Sequence, residues 1–158
     1  MNMESFEDIK VLMDNFDPAA LLPDLTTLVG QVAFVTRIAV LVGPAVLLGL
    51  GLAYLLLAPK EANHHFGYRC YYGMGSVEAW RFTQRLAGLI WGVLGLVLLV
   101  VMLFVTMGFG SKEIMDIIGS GFTCMIWEVA LVVISCLVIN TAAMFFFDSR
   151  GERRRKSA

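Results

Sequence analysis

Three long runs of apolar residues constrain this chain more than any other feature of its sequence. Each run has about 20 residues with few charges, enough for a helix to cross a hydrocarbon core about 30 Å thick. Overall, 58% of the residues are hydrophobic and 16% are charged, whereas an ordinary soluble domain has about 45–50% and about 25%. The sequence therefore predicts an all-α integral membrane protein, folded as one bundle of three transmembrane helices.

Polar residues that interrupt the apolar runs place the predicted spans. Counting back about 20 residues from the stop at Pro59 puts the outer end of the first span near Arg37. Gly43-Pro44 should kink this span, because proline lacks the amide that a helix hydrogen bond requires. The conformation of residues 24–36 stays open. The predicted membrane domain covers 24–148. Its spans lie at about 37–58, 86–108 and 122–147, and a loop at 59–83 joins the first two spans. A basic tail follows at 149–158.

Within residues 1–23, the sequence predicts a separate amphipathic helix that precedes the membrane domain. Phe6, Ile9, Met13 and Phe16 recur at three- and four-residue steps, so that they share one face of a helix. The polar face is acidic, whereas helices that bind anionic lipid usually carry lysine and arginine there. Two interpretations stay open, namely docking onto a partner and folding back onto the chain's own bundle.

The distribution of basic residues predicts the orientation of the bundle. Nine lysines and arginines lie in loop 59–83, at the start of the second span and in the tail, and three lie on the other side of the predicted spans. Short cytoplasmic flanks carry an excess of lysine and arginine. The sequence therefore predicts an N-terminus outside and a loop and tail inside, where the tail could also contact anionic headgroups.

Loop 59–83 and the start of the second span contain the densest cluster of unusual residues. Gly67 suits a tight turn or a close backbone approach. Arg69 offers five fixed donors that match carboxylate, phosphate or the carbonyls at a helix end. Ser76 is a predicted N-cap that begins the second helix near Val77. The other candidates in this segment are Asn63, Tyr68, Trp80, Arg81, Gln84 and Arg85.

The order and spacing of these residues resemble the signature of the SdpI family of small bacterial membrane proteins. The resemblance rests on Pro59, Asn63, Gly67, Arg69, Ser76, Trp80, Arg81 and Gly88. Cys70 and Gln84 stand where the family usually has threonine and asparagine. The resemblance implies a multi-pass protein of the bacterial inner membrane with a role in peptide-toxin immunity or signal relay. It implies a peptide toxin and a cytoplasmic regulator as partners.

Two interpretations of the three arginines in this segment stay open. Arg69, Arg81 and Arg85 could bind an anion or a cytoplasmic partner at the inner membrane surface. Alternatively, Arg69 ties the loop to helix ends while Arg81 and Arg85 extend to the lipid headgroups. Loss of partner binding in Arg69→Ala would favour the first interpretation.

The sequence offers little support for an enzyme or a metal site. His64-His65, close to Cys70, are adjacent and lack the spacing of metal ligands on one helix face. Nucleophile motifs, phosphate-binding loops and dinucleotide fingerprints are absent from the sequence. We therefore expect no catalytic residues, no cofactor, no metal and no nucleic-acid partner.

Polar residues within the spans predict contacts between helices. Counting from the inner boundary places Arg37 and Glu128 near the same outer depth, which predicts an ion pair between the first and third spans. The alternative is that each side chain reaches outer water separately. Asn140 lies on another face of the third span, and we expect it to form an interhelical hydrogen bond.

A stripe of glycines on the second span predicts a close helix contact. Gly88, Gly92 and Gly95 follow one another at four- and three-residue steps, and the first two form a GxxxG pair. Two further functional hypotheses follow from these features. One is an accessory subunit that docks onto a larger membrane complex through this stripe and the N-terminal helix. The other is a homo-oligomeric small transporter that uses Glu128.

Overall fold

The computed structural model describes residues 25–59, 61–62 and 66–154, and these residues form three long helices. Helix α1 covers Leu25–Leu56, α2 covers Val77–Met107 and α3 covers Ile114–Phe146, with a 3₁₀ turn at Gly108–Ser111. All three are long and apolar enough to cross a membrane. The prediction of an all-α fold with three such helices is confirmed. The amphipathic helix predicted at 1–23 lies outside the described residues.

Each helix is longer than the span predicted for it. Residues 25–36, whose conformation the sequence left open, are the first turns of α1, and the helix continues through Pro44. At 1.5 Å per residue, helices of 31 to 33 residues are about 46–50 Å long. Because a hydrocarbon core is about 30 Å thick, the ends of all three helices extend past it or tilt within it.

Helices α1 and α2 are antiparallel and form the closest pair in the bundle. Gly51 of α1 lies against Gly92 of α2, and Leu48, nearer the start of α1, lies against Gly95. A side chain at Gly51 would collide with the backbone of Gly92, and one at Gly95 would collide with the backbone of Leu48. The two backbones therefore touch at these positions, which a larger residue would prevent.

The three predicted packing glycines play different parts in this contact. A Cβ at Gly88 would lie 2.7 Å from the side chain of Leu55 and 3.0 Å from the carbonyl oxygen of Gly51. A Cβ at Gly92 would meet nothing within 4 Å. The backbone of Gly92 therefore forms the contact, and a side chain at this position would not disturb it. Gly51, on the facing helix, is the residue that cannot carry a side chain there.

Helix α3 runs parallel to α1 and closes the bundle. Thr36 of α1 faces Gly121 of α3, and Gly43 faces Glu128, seven residues further along both helices. The residues buried between the helices are few, because only one face of each helix points inward.

Large apolar side chains cover the outer faces of the bundle. Phe104 is 71% exposed, Phe145 72% and Val129 64%, and many valines and leucines beside them are also exposed. A monomeric protein in water rarely exposes so large an apolar surface. In a bilayer the same surface is covered by acyl chains, so the helices of this chain contact lipid.

The connections place the loop before α2 and the segment after α3 at the same end of the bundle. Gly75 of the loop packs against the backbone of Gly151. We call the end that holds residues 57–59, 61–62, 66–76 and 147–154 the basic end, because the exposed arginines concentrate there. The 3₁₀ turn at Gly108–Ser111 lies at the opposite end, which we call the far end.

The contact between α1 and α2 predicts a marked difference between two glycine substitutions. We expect Gly51→Ala to destabilise the bundle by about 1–3 kcal/mol, because the added methyl group overlaps backbone atoms that cannot move independently. Gly92→Ala, on the opposite side of the same contact, should change stability by less than about 0.5 kcal/mol. Thermal unfolding of both purified variants in one detergent measures the difference. Equal stability of the two variants would contradict this packing.

Candidate functional site

The start of α2 is held by a serine that makes two hydrogen bonds. Ser76 Oγ accepts a hydrogen bond from the Ala79 amide at 3.1 Å, as an N-cap does, and donates one to the Gly151 carbonyl at 2.6 Å. Gly151 has a φ of 75°, which glycine adopts without strain. The predicted cap therefore also attaches the segment after α3 to the start of α2.

The segment after α3 folds into a compact turn. Asp148 Oδ1 accepts hydrogen bonds from the amides of Arg150 and Glu152, and the amide of Arg154 donates to the Phe146 carbonyl. Arg153 forms an exposed ion pair of 3.9 Å with Glu78 at the start of α2. Residues 148–154 are therefore an ordered part of the basic end.

Gln84 fixes the loop by binding the backbone of one residue twice. Its Oε1 accepts from the Tyr68 amide at 2.8 Å, and its Nε2 donates to the Tyr68 carbonyl at 2.7 Å. Gln84 is 2% exposed. Since a buried peptide group without partners is costly, this side chain replaces the hydrogen bonds that a regular helix or sheet would supply.

Trp80 and Gly67 form a second attachment of the loop. The indole of Trp80 is fully buried and donates from Nε1 to the Pro59 carbonyl at 2.9 Å. Gly67 has a φ of 121°, and a Cβ there would lie 2.7 Å from the Trp80 ring. The position thus requires glycine both for its backbone conformation and for space.

Tyr68 extends from the loop into the bundle. Its ring stands edge-on to Trp91, with centroids 5.4 Å apart, and its hydroxyl donates to the Cys136 carbonyl at 3.3 Å. Asn140 of α3 is exposed and lies near the Tyr68 hydroxyl. Tyr68 therefore connects the loop to α2 and α3 at once.

Two features of the loop were not identified as candidates from the sequence. Cys70 Sγ accepts a hydrogen bond from the Gly73 amide at 3.3 Å and closes a short turn. Gly73 is buried against Thr83 of α2, where a Cβ would lie 2.7 Å from the threonine hydroxyl. A glycine within a short polar loop is the only sequence signal that pointed to this contact.

The arginines of the segment lie outside this buried frame. Arg69, Arg81 and Arg85 are all exposed. Arg81 and Arg85 border a groove of about 440 Å³ between the end of α1 and the start of α2, whose other walls include Tyr54 and Pro59. Arg69 lies close enough to Tyr54 to act on it electrostatically. The three predicted residues therefore surround the same end of α1.

The remaining candidates of the segment are not described. Asn63 and His64-His65 lie outside the described residues. Within the described ranges, no group of three histidine, cysteine or acidic side chains is arranged to hold a metal ion.

The ion pair predicted between Arg37 and Glu128 does not form. The Arg37 guanidinium donates to the Thr106 carbonyl at 2.9 Å, in the last turn of α2, where the exposed carbonyls of a helix end favour a cation. Glu128 faces Gly43 instead, six residues beyond Arg37. At 1.5 Å per residue this places the backbone at Arg37 about 9 Å from the level of Gly43 and Glu128 along the bundle axis. The prediction was wrong because counting from the inner boundary does not fix how α1 and α3 are aligned.

Comparison with known protein families identifies a family of this chain. The model of the SdpI/YfhL protein family matches residues 60–145, which is more than half of the chain and includes the loop, α2 and almost all of α3. No curated protein and no solved structure matches.

The double hydrogen bond to Tyr68 predicts the effect of removing the Gln84 side chain. Gln84→Ala should destabilise the protein by about 1–3 kcal/mol, because the buried amide and carbonyl of Tyr68 lose their partners. Amide exchange at Tyr68 should accelerate by more than the loss of global stability explains. Arg85→Ala, one residue away but exposed, is the control and should leave both measurements unchanged. If both variants behave alike, Gln84 does not hold the loop.

Proposed function

The chain belongs to the SdpI/YfhL protein family, and on this premise we propose that it is a non-enzymatic, multi-pass protein of the bacterial inner membrane that serves peptide-toxin immunity or signal relay. It acts by recognition. Its far end and its outer faces meet the peptide at the membrane, and the arginines of the basic end bind a cytoplasmic regulator.

The exposure of three arginines on a rigid frame is the observation that carries this proposal. Trp80 and Gln84 are almost wholly buried and hold the backbone on which Arg69, Arg81 and Arg85 stand. A partner that binds there meets arginines whose backbone is held by these buried side chains, which lowers the entropic cost of association. The guanidinium groups match carboxylates in a fixed, two-pronged geometry. The groove between α1 and α2 therefore suits an acidic segment of a partner protein.

The orientation of the bundle determines which compartment this partner occupies. The arginines of the loop, of α2 and of the last segment all lie at the basic end, since Gly75 and Ser76, just before α2, contact Gly151. The excess of lysine and arginine in cytoplasmic flanks assigns this end to the cytoplasm and the far end to the outside.

A deletion strain tests the proposed function. We expect the strain to become sensitive to a peptide toxin secreted by the source organism or its neighbours, and the intact gene to restore resistance. The double variant Arg81→Ala/Arg85→Ala should lose the transcriptional response to the toxin, because the regulator no longer binds the groove. Arg153→Ala is the matched control, since Arg153 is exposed at the same end but lies outside the groove.

Three results would contradict parts of this proposal. Unchanged toxin sensitivity of the deletion strain would remove the role in immunity. A normal response in the double variant, with altered binding to anionic vesicles, would assign the arginines to lipid headgroups instead. Stoichiometric co-purification with a large membrane complex, without any toxin phenotype, would favour an accessory subunit.

Thiol labelling in intact cells tests the orientation. Tyr71 is 74% exposed at the basic end, and Ser111 is exposed at the far end. Burial raises the pKa of the Cys70 thiol, so less of its reactive thiolate forms at neutral pH and Cys70 reports poorly on either compartment. We therefore expect Tyr71→Cys, with Cys70, Cys124 and Cys136 replaced, to resist an impermeant maleimide until the cells are opened.

Ser111→Cys in the same background is the matched control and should react in intact cells. Labelling of Tyr71→Cys from outside, with protection of Ser111→Cys, would invert the proposed orientation.

A further inference from the structure

A buried carboxylate lies where α1 and α3 face each other. Glu128 is 8% exposed, and its Oε1 has no hydrogen-bond partner. Within the part of the chain that the structure describes, no basic side chain forms an ion pair with it. Its Oε2 lies 2.5 Å from the position that a Cβ of Gly43 would occupy. The absence of a side chain at Gly43 therefore leaves room for the carboxylate.

A cavity adjoins this carboxylate. It has a volume of about 320 Å³ and lies between α1 and α3, with α2 at its base. Leu47, Trp91, Leu98 and Val132 line it, and Glu128 is the one ionisable residue in its wall. Binding sites for small molecules have this character, since they combine mostly apolar walls with a few placed polar groups in volumes of about 300–1,000 Å³.

The cavity opens towards lipid and not towards either end of the bundle. Its rim includes Val46, Val129 and Val133, which are 55%, 64% and 53% exposed on the outer faces of α1 and α3. A ligand would therefore approach from the acyl-chain region, into which an amphiphilic molecule already partitions.

We propose that this cavity binds a small organic ammonium ion, with its apolar body between α1 and α3 and its charged nitrogen on the carboxylate of Glu128. A cation supplies the hydrogen bond and the opposite charge that Glu128 lacks. Trp91 lies in the same wall, where its ring offers an apolar surface to the body of the ligand.

Other classes of ligand fit the cavity less well. Calcium takes six to eight oxygen ligands, whereas one carboxylate is the only ionisable group in the described wall. An anion would be repelled by Glu128, and a neutral apolar molecule would leave its Oε1 without a partner. The proposal concerns the intramembrane cavity alone and is independent of the groove at the basic end.

Fluorine NMR of a soluble ammonium compound tests the proposal. The probe is 4-fluorophenethylamine, titrated into the full chain in discs of zwitterionic lipid, with empty discs for subtraction. We expect saturable binding of the probe to the protein. The neutral analogue 2-(4-fluorophenyl)ethanol should bind at least about tenfold more weakly, because its hydroxyl can donate a hydrogen bond but carries no positive charge.

Two variants relate the binding to this site. Glu128→Gln keeps the shape of the side chain and should weaken binding of the amine at least about tenfold, to the affinity of the alcohol. Glu113→Gln, at an exposed carboxylate outside the cavity, should leave it unchanged. If Glu128→Gln does not fold, Val132→Phe fills the cavity and should abolish binding of both compounds. Equal affinity of wild-type protein for amine and alcohol, or for amine in wild type and Glu128→Gln, would overturn the proposal.

Discussion

The direct backbone contact between α1 and α2 is the interaction on which the rest of this bundle depends. Acyl chains are as apolar as leucine, so helices in a bilayer gain little from burying apolar faces and associate instead through close packing and hydrogen bonds. Gly51 against Gly92 and Leu48 against Gly95 bring the two helices together at one fixed register. This register places Arg37 beside the last turn of α2, and it places the end of α1 beside Trp80.

The basic end shows how the same register produces a defined surface. Pro59 and Gly67 both lie against Trp80, and Gly67 leaves room for the indole. Gln84 and Tyr68 then anchor the returning segment. The buried residues of the segment resembling the SdpI family thus build the frame, and its arginines project from that frame to the surface. This division separates the residues that hold the loop from the arginines, whose proposed role is recognition.

The three apolar helices could be predicted from the sequence because each depends on the length of one apolar run. The N-cap at Ser76 could be predicted because a serine hydroxyl binds the amide three residues later in the chain. The alignment of α1 with α3 could not, since apolar runs of more than 30 residues have no marker of depth. Arg37 and Glu128 were therefore placed at one level, although Glu128 lies beside Gly43, six residues after Arg37 on α1. The double hydrogen bond of Gln84 to Tyr68 was also beyond sequence reasoning, because a loop without regular structure has no period from which a partner can be inferred.

The two intramembrane charges differ in how the fold satisfies them, and this difference separates a structural residue from a candidate for binding. Arg37 donates from its guanidinium to the carbonyl of Thr106 at a helix end, where an acceptor is available without any ligand, although its buried Nε has no partner. Glu128 faces a helix interior, where backbone amides are engaged, and Oε1 lacks a donor. A purely structural role would be served equally by glutamine or by an apolar residue at lower cost. Gly43 leaves room for the carboxylate, and a cavity open to lipid lies beside it. This arrangement favours a site in which a ligand from the membrane supplies the missing hydrogen-bond donor.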